Sequence, residues 1–322
     1  MTLKHQKDPL IFQGKRKGKK YFEGWYFKQV SWDAENIISI IPGISKDPLD
    51  PHCFVQVITL FNGLSNHEIL RTHYYKYSID EFKIKDEPFR LVVGDSLFDN
   101  KGIMLNLKNE SCRIKGDIKF SPFTKIRRKI TSPSAMGYFA YFNFMECNHD
   151  IISMNHSLNG KLMINEKEID LNQGKGYIEK DWGMSFPREY IWLQSNHFGE
   201  DSASIMLSIA RIPFLGMEFQ GFICNLTLNG REFRFATYNN SKIIKFSCVE
   251  GLMKFVIAKG KYELIINGEI CDSLGSMKAP GNGAMNKIIK EGLDGYVDIK
   301  LSINSRTLFE GRGAPCAIEI VK

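Results

Sequence analysis

Residues 174–196 alternate in two runs with a single break between them, and that pattern commits this part of the chain to strands. Ahead of Pro187, the run Y-I-E-K-D-W sets Tyr177, Glu179 and Asp181 on one strand face and Ile178, Lys180 and Trp182 on the other, since successive side chains in a strand point to opposite sides. Behind it, Tyr190, Trp192 and Gln194 share one face, with Ile191, Leu193 and Ser195 opposite. Proline has no N–H to give to a ladder, so Pro187 separates two strands instead of sitting inside one. Two acids on one face beside aromatic rings make either a structural ion-pair site or a place for acid chemistry.

The same alternation recurs along the chain. It is seen over 21–31, where Tyr21, Glu23, Trp25, Phe27 and Gln29 share a side, and over 36–41, 52–61, 67–78 and 89–93. Residues 102–108 and 112–120 read as a hairpin around Asn109-Glu110, and Asn229-Gly230 marks a second, tight one. The aromatic run 137–144 is expected to fill an interior. Met285, Ile288 and Ile289 fall at helical spacing ahead of Gly292, which predicts one short helix over 284–291. Many short strands with turn signals between them give an all-β chain. We expect two antiparallel barrel or sandwich domains, 1–183 and 184–322, meeting near Gly183.

Composition narrows the function classes. The chain has 322 residues, 43% hydrophobic and 25% charged, which excludes a disordered segment. Its net charge of +7 comes with no nucleic-acid motif, so no nucleic-acid partner is expected. Seven scattered cysteines without C-x-x-C fit free thiols in a reducing, cytoplasmic setting. Residues 1–20 lack the apolar core of a signal peptide, and no run is long enough to span a bilayer. The tract Lys15-Arg16-Lys17-Gly18-Lys19-Lys20 allows peripheral membrane contact through anionic headgroups; the alternative is a solvated lead-in to the first strand. The cluster Lys125-Ile126-Arg127-Arg128-Lys129 reads as a loop or short helix at a mouth, either anion-holding or solvated. Cys147, His149 and His156 match no metal-site spacing, and no Walker loop, G-x-G-x-x-G, G-x-S-x-G or H-E-x-x-H is present, so neither metal nor cofactor is expected.

Three sets of residues resemble the motifs of the tocopherol cyclase family. The first is Glu179, Lys180, Trp182, Gly183, Phe186, Pro187, Trp192, Gln194 and Asn196. The second is Phe22-Glu23-Gly24-Trp25-Tyr26-Phe27; a weaker third comprises Pro280, Gly283, Met285, Ile288, Ala317 and Glu319. At Asp181 the chain departs from the plant enzymes, which carry Asn there. The D-x-E-W-G run of carotenoid hydratases is similar too, its two acids falling on Glu179 and Asp181. The resemblance implies paired lipocalin-like barrels and cofactor-free cyclisation, or hydration, of a prenylated or polyene hydrophobic small molecule. In such a reaction an acid protonates an alkene and a neighbouring phenol oxygen closes the ring on the cation. Glu179, Asp181 and Glu23 are then the candidate catalytic acids, with Glu319 a weaker fourth. Trp25, Tyr26, Trp182 and Trp192 would line the substrate site, with Gln194 and Asn196 orienting the ligand. The alternative makes the aromatics barrel core, pairs Glu179 with Lys180 or Arg188 and Glu23 with Lys28, and leaves a non-catalytic carrier or sensor of a hydrophobic molecule.

Overall fold

The computed structural model describes residues 8–16, 18–61, 70–142, 145–199, 201–214, 216–271 and 273–322. Two antiparallel sheets account for the architecture. The first holds β1 (Phe22–Val30), β2 (Asn36–Ser45), β3 (His52–Phe61), β4 (Arg71–Ser78), β5 (Phe82–Asp86), β6 (Phe89–Val93), β7 (Ser96–Asp99), β8 (Gly102–Lys108), β9 (Arg113–Phe120), β10 (Cys147–Ile164), β11 (Lys167–Asp170) and β12 (Lys175–Gly183). The second holds β13 (Tyr190–Ser195), β14 (Ala203–Phe214), β15 (Met217–Leu228), β16 (Arg231–Ala236), β17 (Lys242–Val249), β18 (Leu252–Lys259), β19 (Tyr262–Glu269), β20 (Leu274–Gly281), β21 (Ala284–Ile303) and β22 (Arg306–Val321). Most neighbours are consecutive in sequence; long-range pairings set β1 beside β12 and β13 beside β22.

Each sheet curls around its own core. Trp25 and Phe27 of β1, Val55 of β3, Leu91 of β6, Phe98 of β7 and Ile178 of β12 meet in one cluster. Leu193 of β13, Leu207 of β14, Phe255 of β18, Ile266 of β19 and Ile318 of β22 meet in another. A third cluster joins the outward faces of the two sheets: Tyr26 and Tyr177 from the first, Tyr190, Trp192, Met206, Ile289 and Ala317 from the second. Each large apolar side chain buried there contributes about 1.5–3 kcal/mol. Apolar packing therefore fixes the sheets face to face, and strand alternation places one set of side chains in a domain core and the other in this joint.

The sequence expectations meet the structure unevenly. Asn229 and Gly230 sit at φ 48° and 75°, the doubly left-handed turn that joins β15 to β16 as expected. The helix expected over 284–291 is instead the start of β21, paired with β20. Ile289 is buried while Ile288 is 64% exposed, so what separates them is strand alternation. Asn282 and Gly283, at φ 53° and 86°, make the turn into it. A Cβ on Gly283 would lie 2.3 Å from the Lys20 backbone, so glycine is needed there for space as well. The run 137–144, expected to be interior, begins as a short 3-10 turn over 137–141 with Tyr138 exposed. Residues 67–69 of the strand expected over 67–78, residues 143–144, and Lys17 of the basic tract lie outside the described residues. Among the described residues, no helix is long and apolar enough to cross a membrane.

Candidate active site

Register across three neighbouring strands builds the site. In β12, Glu179 lies between Tyr26 of β1 and Ile151 of β10, and Asp181 between Gly24 and His149. Tyr177, Glu179 and Asp181 point away from the first sheet's core toward the joint. There a cavity of about 180 Å³ is lined by Tyr26, Phe22, Phe54, His149, Glu179 and Asp181 on one side and by Tyr190, Trp192, Phe222, Met277, Ile289 and Glu319 on the other. The cavity thus lies between the two sheets, whose curled interiors hold the first two apolar clusters, and not inside either of them.

Glu179 is buried and held through one oxygen. Its Oε2 accepts hydrogen bonds from Tyr177 Oη at 2.6 Å and Trp192 Nε1 at 3.1 Å, and lies 3.6 Å from His149 Nε2. Among the described residues nothing bonds Oε1, which leaves that oxygen to carry a proton. Burial disfavours the carboxylate and, with Asp181 nearby, outweighs the His149 cation and the two hydrogen bonds; the pKa is pushed up to about 7. His149 Nδ1 sits 2.9 Å from Asp181 Oδ1. Burial works against the imidazolium, but Glu179 and Asp181 outweigh it and push its pKa up to about 9. Near neutral pH the set therefore holds an imidazolium at His149, bridged to the Asp181 carboxyl, beside an acid, Glu179, poised to give up its proton.

Two further acids are buried on the opposite side, Glu319 in the cavity lining and Glu291 beside it on the next strand. Glu319, opposite Trp192 in the β13–β22 ladder, accepts from Tyr190 Oη at 2.5 Å. Glu291, opposite Glu319, accepts from Tyr26 Oη at 2.5 Å. Burial pushes each up to about 8, with neighbouring carboxylates adding to it.

These shifts carry a sign for stability. Glu291 and Glu319 keep their protons in the fold up to about pH 8, but their ordinary value is 4.5. Folding therefore binds protons between those values, and stability falls as pH rises through that window, by up to about 1.4 kcal/mol per pH unit for each such group. His149 adds the same sign between 6.5 and about 9. His156 and His197, held neutral by burial down to about 3, act oppositely but only below 6.5. The melting temperature is expected to drop between pH 6.5 and pH 8, and to drop less in Glu291→Gln; a melting temperature that climbs across this range would contradict the placement of these acids.

The other expected site residues lie elsewhere. Glu23 is fully buried but faces the first sheet's side of β1, where Lys180 Nζ reaches it at 2.8 Å and Tyr21 Oη at 2.6 Å. The backbone N–H groups of Gln13 and Gly14 donate to it as well. Its oxygens are engaged and it does not line the cavity, which removes it from the candidate acids; its partner is Lys180, not Lys28. Trp25 is in the first core, and Trp182 packs against that core. Gln194 accepts from Lys28 Nζ at 3.1 Å, and Asn196 donates to Asn155 and to the Gly176 carbonyl. None of these four lines the cavity. Of the expected set, the structure brings Glu179, Asp181, Tyr26, Trp192 and the weaker candidate Glu319 to one cavity.

Sequence reasoning weighed His149 only as a metal ligand beside Cys147 and His156 and gave it no part in the acid site, because nothing local pairs it with Asp181. It passed over Glu291, which lay inside the misread helix. Asn282-Gly283, the same hairpin dipeptide as at 229–230, was the signal that would have corrected that reading. The donor atoms of His149, Glu179 and Asp181 lie within 4.8 Å of one another. A cation placed among them would have to displace the proton that His149 keeps to about pH 9.

Comparison with known proteins adds a family and a fold. A family model described as tocopherol cyclase-like matches residues 93–321. A probable chloroplastic tocopherol cyclase of Oryza sativa subsp. japonica is 30% identical over 77 residues, 24% of this chain and 16% of that protein. The chloroplastic tocopherol cyclase of Zea mays matches over the same shares, 24% and 16%, at 30% identity. The match thus spans about a sixth of the length of these curated relatives. Kievitone hydratase from Nectria haematococca superposes with a TM-score of 0.53 at 12% identity, covering 97% of this chain and 93% of that one. CghA in complex with Sch210972 superposes with a TM-score of 0.57 at 7% identity, covering 94% and 88%. At these identities the superpositions speak to the fold.

Proposed function

The chain belongs to the tocopherol cyclase-like family, and from that premise we propose that it is an enzyme that protonates an alkene of a prenylated or polyene substrate in the cavity between its two sheets. The observation that carries this reading is Glu179: a buried carboxyl among aromatic rings, fixed through Oε2, whose pKa near 7 keeps a proton available at neutral pH.

The chemistry balances within the site. Glu179 gives its proton to the less substituted alkene carbon, and the π pair forms that C–H bond and leaves a tertiary cation. The faces of Tyr26 and Trp192, whose rings meet edge to face at 5.4 Å, bound the space where that charge develops. The substrate's own phenol oxygen attacks the cation, its proton passes to Asp181, and proton exchange from Asp181 back to Glu179 as the product leaves resets the site. Cyclisation is then an isomerisation; if water attacks instead, the product is a hydrate. The imidazolium of His149 between the two carboxyls limits the repulsion created when Glu179 loses its proton.

The test uses an ortho-prenylated hydroquinone in D2O with mass spectrometric analysis. A cyclase returns an isomer carrying one deuterium at a non-exchangeable carbon, and a hydratase returns a product heavier by one water. Recovery of unaltered ligand bound to the protein would overturn the enzymatic reading in favour of a carrier or sensor.

A further inference from the structure

One end of the cavity is walled by Phe139 and Phe219, and the segments around them present a surface that is both apolar and basic. The β14–β15 hairpin runs past its neighbours: pairing with β13 stops at Ala210 and pairing with β16 at Ile223, while the hairpin continues to Phe214↔Met217. Met217 near its tip is 73% exposed. Two residues on, Phe219 lines the cavity and stacks at 5.8 Å on Phe139, which lines it too. Phe139 in turn stacks at 4.8 Å on Tyr138, which is 44% exposed. The next loop adds Ile130, 70% exposed, whose carbonyl accepts from Tyr141 Oη at 2.5 Å. Three large apolar side chains thus face solvent beside this end of the cavity, where leaving them in water has no compensation within the fold.

The same loop supplies charge of one sign. Lys125, Arg127 and Lys129 are exposed, and none has a carboxylate partner among the described residues. The acids nearby are committed: Glu232 to Arg234 at 2.6 Å, Asp150 to Arg128 at 2.7 Å, and Glu218 and Glu189 to Arg211. Apolar tips among unpaired cations match the two layers of an anionic bilayer surface, acyl boundary and headgroup.

We propose that this surface docks on an anionic lipid bilayer, so that an apolar ligand passes between membrane and cavity without crossing water. The docking surface comprises Ile130, Tyr138 and Met217 with Lys125, Arg127 and Lys129. It rests on the proposed function only for the nature of the cargo; the binding measurement needs no substrate, so its failure would leave the acid chemistry standing.

The test is sedimentation of the full chain with vesicles of phosphatidylcholine alone and of phosphatidylcholine with phosphatidylglycerol in equal parts. The protein is expected to sediment with the mixed vesicles and to be released by high salt. Lys125→Glu/Arg127→Glu/Lys129→Glu should lower the partition coefficient at least about tenfold. Ile130→Ser/Met217→Ser should lower it about threefold or more, with circular dichroism unchanged in both variants. Lys19→Glu/Lys20→Glu should leave it as in the wild type. Equal sedimentation with both vesicle types, or with neither, overturns the proposal. So does loss of binding only in the Lys19/Lys20 variant, which would assign contact to the N-terminal tract. A dimer on gel filtration that Met217→Ser dissociates would also overturn it, by showing that a second copy covers the surface.

Discussion

Replacing Glu179 with glutamine is expected to lower kcat about a thousandfold while leaving ligand affinity within a few-fold of wild type. Glutamine keeps the shape of the side chain, and its carbonyl oxygen can still accept from Tyr177 and Trp192, as Oε2 does now. What it lacks is the transferable proton. The wild-type rate should fall as pH rises through about 7, where Glu179 ionises. The residual rate of Glu179→Gln should lose that limb. Glu319→Gln is the control, since Glu319 is a second buried acid at the same cavity with a pKa pushed up to about 8. Full turnover in Glu179→Gln, with turnover abolished in Glu319→Gln, would move the acid to the opposite wall.

Replacing Lys180 with methionine is expected to cost about 3–5 kcal/mol of folding stability. Lys180 and Glu23 are both fully buried, and Lys180 Nζ also donates to the Ile11 carbonyl at 2.7 Å. The ammonium lies 5.1 Å from the Trp25 ring and 4.7 Å from the Trp182 ring, so two motif tryptophans act as its cation–π walls. Methionine would leave the Glu23 carboxylate buried without its counter-ion. The double variant Glu23→Gln/Lys180→Met should recover part of the loss, because it removes both charges. Glu23→Gln alone should keep the turnover that Glu179→Gln loses. Urea denaturation measures the stability differences; a Lys180→Met midpoint equal to wild type would show that the pair contributes nothing, and inactive but folded Glu23→Gln would return Glu23 to the chemistry.

These two experiments divide a motif that looks uniform in the sequence. Glu179, Lys180 and Trp182 are near neighbours in one resembling stretch, yet Glu179 faces the cavity while Lys180 and Trp182 serve the first core. The sequence alone determined that these residues fall on opposite faces, that Pro187 divides two strands, and that Asn229-Gly230 turns tightly, because period-two alternation, a missing N–H and left-handed φ values are local properties. It also carried the all-β class. Only the tertiary structure decided what each face meets. The pairing of β1 with β12 and of β10 with β12 gave Glu23 to Lys180 and His149 to Asp181, partners 157 and 32 residues away. The docking of one sheet on the other set Trp192 against Glu179 and opened the cavity between the barrels. Alternation says that a strand has two sides; which side becomes a domain core and which an apolar joint is set by long-range register and by the packing of elements distant in the chain.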